Sequence, residues 1–214
     1  LPVYHLNFVY RLKNVRDYES AGASTPGLLL PYFVPTAHHP VPGPKGRDFD
    51  GVFVGHYEPD ERYPSIAALR AAGIRVKIHG TGWGGCPELG DERRLITAAR
   101  GEQYSEVVSS AHFALSFYSK LNSDTYTRRV FELPAMATVL VSTRTPEMNE
   151  LFADGTEAIL FSDAAELVDR VRWLLAEPGR AEAIAAAGFA RCWASGYDVD
   201  SRMRALVDTL RSAL

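Results

Sequence analysis

Two acidic residues separated by eight positions frame the segment of this sequence with the clearest chemical potential. Asp124 and Glu132 lie between two apolar runs, Phe113–Phe117 and Thr138–Ser142, which have the composition of buried strands. We therefore predict a strand, a polar turn, a helix that begins near Thr125 and a second strand. The residue types around the predicted helix start suit the binding of an anionic ligand.

The first turn of a helix leaves backbone N–H groups unpaired and carries partial positive charge, so a phosphate or diphosphate is a natural ligand there. Asp124, Thr125 and Thr127 can cap this helix, and the two threonine hydroxyls can also donate to phosphate oxygens. Arg128 and Arg129 add guanidinium groups that match phosphate geometry. The alternative is that Asp124 is only a cap and that the two arginines are surface charges.

Glu132 stands in a run of mostly apolar residues, 130–137, that should be largely buried. A buried carboxylate is unfavourable unless it is paired or hydrogen-bonded. A ligand with neighbouring hydroxyl groups, such as a ribose, would satisfy both of its oxygens. The alternative is an ion pair with Arg129, one helical turn earlier. Pro134 lies inside the same predicted helix and should kink or shorten it.

Strands and helices alternate along most of the chain, and the strands are almost continuously apolar. This pattern predicts an α/β fold, a Rossmann-like parallel sheet with helices on both faces, which binds ligands at the carboxyl ends of its strands. We predict strands at 6–10, 28–30, 52–54, 75–78, 113–117, 139–141 and 158–161, and helices at 13–21, 65–72, 104–110, 127–137, 146–152, 164–176, 180–193 and 199–213. The loops at 55–63, 79–86 and 118–128 follow strands and should meet at one edge.

These loops contribute further candidates for ligand binding. Gly55 allows close approach of the backbone to a ligand, and Arg62 can reach an anion from the opposite side of a cleft. Lys120 is either a diphosphate contact or a solvated lysine. His56 and His79 also lie on the predicted edge, where a structural role is the alternative for each.

The glycine-rich run 80–85 lacks the spacing of phosphate-binding loops. We interpret it as a flexible turn anchored by Trp83.

The composition excludes several classes of function. A net charge of -3 without a basic face disfavours nucleic acid as a partner, and no apolar run approaches the length of a membrane helix. The histidines lack metal-binding spacing and no nucleophile elbow is present, so we expect neither a metal site nor a serine hydrolase. Two cysteines form no framework, which favours a reduced, cytoplasmic setting.

The 214 residues divide into four predicted parts. Residues 1–35 form a strand–helix–strand remnant of an N-terminal domain, and the proline-rich residues 36–48 form a linker. Residues 49–196 form a Rossmann-like domain, which the family resemblance described next implies to be nucleotide-sugar-binding, and residues 197–214 form a C-terminal helix. The chain begins without Met, and we expect it to be a piece of a longer protein.

Several stretches, in this order, resemble the C-terminal, donor-binding half of group-1 retaining glycosyltransferases with the GT-B fold, and most closely the CgeB-like (spore maturation protein) subset. The resemblance covers nearly the whole chain and rests on residues 14–23, 52–55, 59–62, 78–83, 127–135, 144–147, 151–155 and 161–167. That family carries an acidic pair spaced E-x7-E, matched here by Asp124 and Glu132. The glycine usual near the end of the following helix is replaced by Ala137-Thr138.

The resemblance implies a role for each matched residue. Glu132 should hold the donor ribose hydroxyls, Asp124 should face the donor sugar, and the backbone after Asp124 should cradle the diphosphate. Arg62 and Lys120 are the candidate catalytic cations, and no metal or other cofactor is required. The candidate donor-binding residues are Gly55, His56, Asp124, Thr125, Tyr126, Thr127, Arg129 and Glu132.

The implied reaction transfers a sugar from a UDP- or GDP-linked donor to an unknown acceptor, with retention. Because the GT-B fold needs a second domain, we expect this chain to be inactive without the N-terminal domain. The main alternative is a non-catalytic nucleotide-sugar-binding or interaction module, and a GT-B-fold sugar-nucleotide epimerase is a further one.

Overall fold

The computed structural model describes residues 4–23, 26–46, 48–120, 122 and 124–212, and its strands form two parallel sheets. The smaller sheet pairs β1 (Asn7–Val9) with β2 (Pro26–Leu28), and helix α1 (Leu12–Ser20) connects them. This order matches the predicted strand, helix and strand, although β2 lies earlier than the predicted run 28–30.

The larger sheet has five parallel strands in the order β4-β3-β5-β6-β7. Every residue of β3, β5 and β7 is buried, as expected for strands covered on both sides. The predicted parallel sheet is therefore confirmed. Its strands are β3 (Gly51–Val54), β4 (Val76–His79), β5 (Phe113–Ser116), β6 (Val139–Thr143) and β7 (Ile159–Phe161).

The helices of this unit follow the predicted order, and two of their predicted start signals form caps. The carboxylates of Asp163 and Asp198 accept hydrogen bonds from the backbone N–H groups of Glu166 and Ser201 at 2.9 Å each. The helices are α2 (Arg62–Ala71), α3 (Glu102–Ser109), α4 (Arg129–Ala135), α5 (Pro146–Leu151), α6 (Ala164–Ala176), α7 (Arg180–Ala194) and α8 (Val199–Ser212).

Alternate strand residues supply two separate hydrophobic clusters, because successive side chains of a strand point to opposite faces. Val52, Ala114 and Leu140 pack with residues of α3 and α4 on one face. Their neighbours along the same strands pack with α2 and α6 on the other face, namely Phe53, Phe113, Leu115, Val139 and Val141. Helices thus cover both faces, as predicted.

The predicted linker, residues 36–48, has no helix or strand in its described part, yet it is fastened to the larger unit. The ammonium group of Lys45 donates hydrogen bonds to the carbonyls of Ser109, Ala111 and Ala137 at 2.9, 3.3 and 3.0 Å. These carbonyls lie at or just after the ends of α3 and α4, where backbone acceptors lack helical partners. Burial lowers the pKa of Lys45. The domain boundaries themselves stay a prediction.

The helix at the centre of the sequence argument begins later than predicted. Helix α4 begins at Arg129 rather than near Thr125, and no side chain caps it. The prediction that Asp124, Thr125 and Thr127 cap this helix is therefore wrong. Because α4 has only seven residues, few aligned peptide dipoles contribute to the partial positive charge at its N-terminus.

Competing contacts keep the preceding residues out of the helix. Asp124 forms an ion pair with Arg11, and the carbonyl of Thr125 accepts a hydrogen bond from the hydroxyl of Thr145 at 2.8 Å. Tyr126, between them and the helix, is almost fully buried. These contacts come from distant parts of the chain, so local helix signals could not reveal them.

The end of α4 agrees with the prediction. Pro134 lies in its last turn, and the helix ends at Ala135. Ala137 then adopts a φ of 52°, in the left-handed region that non-glycine residues rarely occupy. By the family resemblance, Ala137-Thr138 replaces a glycine that is usual near the end of this helix, and Ala137 adopts a backbone conformation that glycine favours.

Candidate functional site

A cavity of about 270 Å³ lies where the carboxyl ends of β3 and β5 meet, as the order of the parallel strands requires. Six of the ten predicted site residues border it: Gly55, His56, Arg62, Asp124, Thr127 and Arg129. The other lining residues are Phe53, Val54, Glu58, Leu115, Ser116, Phe117, Ser119 and Asn122.

The glycine at the end of β3 is needed for close packing as well as for the cavity wall. A Cβ on Gly55 would lie 2.6 Å from the ring of Phe53, and one on Gly80 would overlap the Gly55 carbonyl. That carbonyl accepts a hydrogen bond from the indole N–H of Trp83 at 3.0 Å. The predicted anchoring role of Trp83 is confirmed, and the glycine-rich run forms a short 3-10 helix at 83–85 instead of a plain turn.

The two histidines of the predicted edge have different environments. His56 borders the cavity, and its Nδ1 lies 3.0 Å from the hydroxyl of Thr81. His79 is buried, and its Nδ1 lies 3.2 Å from the carbonyl oxygen of Thr97. Burial lowers the pKa of His79. The structural alternative therefore fits His79, and the structure does not bring it to the cavity.

Arg62 is buried rather than solvent-exposed, because it begins α2 beneath the loop that follows β3. Its Nη1 lies 2.8 Å from Oε1 of Glu58 and 3.3 Å from the His56 carbonyl, and its Nε lies 3.6 Å from Oδ2 of Asp60. Burial raises the pKa of Glu58, but hydrogen bonds from Arg62 and Ser119 outweigh it and leave that pKa below its usual value. Arg62 is thus a fixed positive charge at the cavity wall.

The second predicted cation is not part of this cavity. Lys120 is exposed, and its ammonium group lies 2.6 Å from Oε2 of Glu61. That hydrogen bond raises the pKa of Lys120. The expected pairing of Arg62 and Lys120 around one anion is therefore absent from the described arrangement, because Glu61 draws the lysine outward.

Asp124 borders the cavity and forms an ion pair with Arg11, in the segment between β1 and α1. Sequence reasoning missed Arg11, since no local pattern connects residues so distant in the chain. Tyr126 lies outside the cavity, and its hydroxyl donates a hydrogen bond to the carbonyl of Tyr10. Burial raises the pKa of Tyr126 to about 12. Thr125 also lies outside the cavity.

Glu132 points into the protein rather than into the cavity, and only 5% of its surface is exposed. Its Oε2 accepts hydrogen bonds from Tyr104 at 3.1 Å and from Arg129 at 2.9 Å. Its Oε1 lies 3.7 Å from Nε2 of His38, in the predicted linker. The alternative of a pair with Arg129 is thus what the structure shows, and Tyr104 and His38 were missed by the sequence reasoning.

Two hydroxyl groups on the cavity wall have no hydrogen-bond partner among the described residues. The Oγ atoms of Ser116, the last residue of β5, and Thr127 are both buried and unpartnered. Most buried polar atoms in proteins are satisfied, so these two hydroxyls beside the cavity are candidates for contact with a ligand or an ordered water. The position of Ser116 at a strand end was the signal that could have identified it.

The described residues include no cluster of three or more His, Cys, Asp or Glu side chains placed to hold a metal ion. In the same residues, no helix combines the length and the apolar character needed to cross a membrane. Cys86 and Cys192 are buried and not disulfide-bonded.

The chain belongs to the glycosyl transferase-like family, whose model matches residues 62–208, more than half of its length. No curated protein sequence matches the chain.

The fold is similar to that of solved glycosyltransferase structures at low sequence identity. Sucrose-phosphate synthase from Thermosynechococcus elongatus superposes with a TM-score of 0.72 at 16% identity, over 98% of this chain and 59% of that chain. HepE from Anabaena, in complex with UDP-glucose, superposes with a TM-score of 0.76 at 12% identity, over 97% of this chain and 64% of that chain. The C-terminal domain of the glycosyl transferase group 1 family protein LpcC from Francisella tularensis superposes with a TM-score of 0.61 at 12% identity. The match covers 78% of this chain and 99% of that chain.

These similarities identify the five-stranded sheet and its helices as a Rossmann-like domain of the GT-B kind. The chain spans about three fifths of the length of the first two solved chains. The closeness to the CgeB-like subset stays a prediction.

Proposed function

We propose that this chain binds a nucleotide-diphosphate sugar, linked to UDP or GDP, and contributes to transfer of the sugar to an acceptor. The observation that carries the proposal is the cavity at the ends of β3 and β5. It gathers six predicted site residues and leaves the hydroxyls of Ser116 and Thr127 without partners. The UDP-glucose and UDP complexes of Anabaena HepE, which has a similar fold, support a donor of this class.

In this proposal, charge stabilisation of the leaving diphosphate is the main contribution of the chain. Arg62 and Arg129 border the cavity and would exchange contacts with Glu58 and Glu132 for the phosphate oxygens. Lys120, which is exposed, would join them by leaving Glu61. Retention, independence of metal ions and cytoplasmic location are part of the proposal.

Thermal unfolding of the full chain in the presence of nucleotides tests the proposal. UDP, GDP or UDP-glucose at millimolar concentration should raise the melting temperature, since a ligand at a hundred times its Kd adds about 2.7 kcal/mol to stability. Arg62→Gln should reduce this shift, whereas Arg172→Gln, which changes an exposed arginine of α6, should leave it unchanged. Absence of a shift with all three ligands would contradict the proposal.

The role of Glu132 can be tested separately. If Glu132 exchanges its present partners for ribose hydroxyls, Glu132→Gln should weaken nucleotide binding more than Arg128→Ala does. The side chain of Arg128 is 66% exposed, and its Nε lies 4.0 Å from the Glu132 carboxylate, which makes this a weak contact. The loss of the Arg128 side chain should therefore perturb the fold little. The reverse order of affinities in a calorimetric titration would remove the ribose role from Glu132.

A non-catalytic nucleotide-sugar-binding module is the second candidate. It is favoured by the observation that both members of the acidic pair are occupied by arginines of the chain itself. Because the chain spans about three fifths of similar solved chains, we expect it to bind donor without transferring sugar. Product formation by a longer parent protein with a panel of sugar nucleotides would distinguish an enzyme from a binding module.

A further inference from the structure

Asp124 and Thr127 form a wall shared by two cavities. On one side is the 270 Å³ cavity at the ends of β3 and β5. On the other side is a cavity of about 410 Å³, bordered by Tyr10, by Tyr32 and by residues 29–31 of the N-terminal part of the chain. A group that fixes Asp124 therefore influences both cavities.

Arg11 is the residue that contacts the Asp124 carboxylate. The two side chains form an ion pair in which 19% of the arginine side chain and 9% of the aspartate side chain are exposed. An almost buried carboxylate is unfavourable without a counter-charge, and removal of one partner from such a pair has a large effect on the other. No other ion pair of Asp124 is found among the described residues.

The position of Arg11 is itself fixed from two directions. Its guanidinium lies over the ring of Tyr10, 4.3 Å from the ring centre. The carbonyl of Tyr10 accepts a hydrogen bond from the hydroxyl of Tyr126, whose ring packs against Phe131 of α4 at 6.4 Å. The turn between β1 and α1 is thus bound to the loop after β5 at both Asp124 and Tyr126.

We propose that Arg11 is a positioning residue of the donor site, which holds the Asp124 carboxylate on the shared wall and offsets its charge. The inference rests on the proposed function and on the role that the family resemblance implies for Asp124, which is to face the sugar of the donor. Without Arg11, the Asp124 carboxylate is free to rotate away from the position in which it would contact the sugar of the donor. Through Arg11, the N-terminal part of the chain would contribute to recognition of the sugar.

This role predicts a selective loss of affinity. Arg11→Ala should weaken binding of UDP-glucose about tenfold and binding of UDP less, because UDP lacks the hexose that Asp124 would contact. A purely structural loss would weaken both ligands to the same extent. Arg11→Lys, which keeps the charge but loses the planar fork, should restore part of the difference.

The experiment is a double-mutant cycle on the full chain, with UDP-glucose and UDP titrated by calorimetry. The variants are wild type, Arg11→Ala, Asp124→Asn and the double substitution, with Arg16→Ala as the matched control on the exposed side of α1. If Arg11 acts through Asp124, Arg11→Ala should have no further effect on UDP-glucose binding in the Asp124→Asn background. Arg16→Ala should match wild type.

The outcomes separate this inference from the proposed function. If wild type binds UDP-glucose and Arg11→Ala binds it within twofold of wild type, the positioning role is refuted and the proposed function stands. The role is equally refuted if the two substitutions weaken binding additively or if UDP is affected as much as UDP-glucose. Failure of wild type to bind either ligand refutes both proposals.

Discussion

Two polar regions near the carboxyl edge of the sheet differ in whether their polar groups already have partners. Around Glu132, the carboxylate is bound by Tyr104 and Arg129, and His38 from the predicted linker approaches it. In the cavity at the ends of β3 and β5, the hydroxyls of Ser116 and Thr127 have no partner among the described residues.

In the proposed function, this difference separates a region that holds the fold together from one that accepts a ligand. A hydrogen bond made within the chain contributes to stability, and its loss leaves a buried group unsatisfied. An unpartnered group on a cavity wall contributes nothing comparable to folding but can bind a ligand atom. Substitutions of the partnered groups around Glu132 should therefore cost stability, whatever their effect on binding, whereas substitutions of the unpartnered hydroxyls should affect binding with little loss of stability.

The largest loss of stability is expected from the region around Glu132. Glu132→Ala should lower the free energy of unfolding by about 3 kcal/mol, because Tyr104 loses its acceptor and Arg129 its counter-charge. This value is at the low end for a broken buried pair, since 39% of the Arg129 side chain is exposed to water. Urea denaturation measures it, with Glu150→Ala, at an exposed position, as the control. Equal stability of the two variants would contradict the comparison.

A smaller loss is expected where the predicted linker is fastened. Lys45→Met keeps most of the side-chain volume but removes the donor to the carbonyls of Ser109, Ala111 and Ala137. We expect stability to fall by about 2 kcal/mol, a magnitude appropriate for hydrogen bonds from a charged group. Lys13→Met, at an exposed position on α1, should have no measurable effect on the same denaturation curve. If Lys45→Met and Lys13→Met have the same stability, the hydrogen bonds of Lys45 do not fasten the predicted linker.

A gain of about 1 kcal/mol is expected from Ala137→Gly. The φ of 52° at Ala137 is costly for a residue with a Cβ and is freely adopted by glycine. Ala72→Gly is the matched control, because Ala72 follows α2 with a φ of -81° and has no such strain to lose. We expect a higher melting temperature for the first variant only, and an increase in both would point to a cause other than the backbone conformation.

A pH effect is expected from His38. Burial, the main cause, lowers its pKa, and Arg129 and Arg128 act in the same direction while Glu132 opposes them. In the window below the ordinary histidine pKa of 6.5, the unfolded chain therefore binds more protons, and stability should rise with pH until it levels off near 6.5.

The measurement is the free energy of unfolding against pH for wild type and His38→Gln. The variant should lose part of the rise in stability, because it lacks the titrating imidazole. In wild type, protonation at Nδ1 also removes the acceptor of the hydrogen bond from the Val34 N–H, which is 2.9 Å long. His79, whose pKa burial also lowers, should account for a second part of the rise, and His79→Gln measures it. An unchanged slope in His38→Gln would show that the histidine titrates normally in the folded protein.

The smallest effect on stability is expected in the cavity. Ser116→Ala removes a hydroxyl without a partner and should change the free energy of unfolding by less than about 0.5 kcal/mol while it weakens donor binding. Ser109→Ala is the matched substitution in a satisfied environment, because its hydroxyl accepts from Val41 N–H at 3.0 Å, and it should cost about 1 kcal/mol. A larger loss of stability for Ser116→Ala would show that this hydroxyl forms a stabilising interaction within the folded chain.

Several parts of the site could be predicted because the signal was local. Gly55, Arg62 and Asp124 each follow a predicted strand, and the carboxyl ends of parallel strands meet at one edge. Lys120 also follows a strand, but an ion pair with Glu61 turns it away from the cavity. Strand position thus predicts the edge on which a residue lies but not the direction of its side chain.

The amino-acid sequence by itself determined the order of strands and helices along the chain, the parallel sheet with helices on both faces and the edge at which the cavity lies. These features follow from short-range periodicity and from the geometry of parallel strands. Only the tertiary structure decided that Arg11 contacts Asp124, that His38 and Tyr104 join Glu132, and that Ser116 remains unpartnered. Such contacts join residues far apart in the chain, and their formation depends on packing and burial that no local pattern encodes.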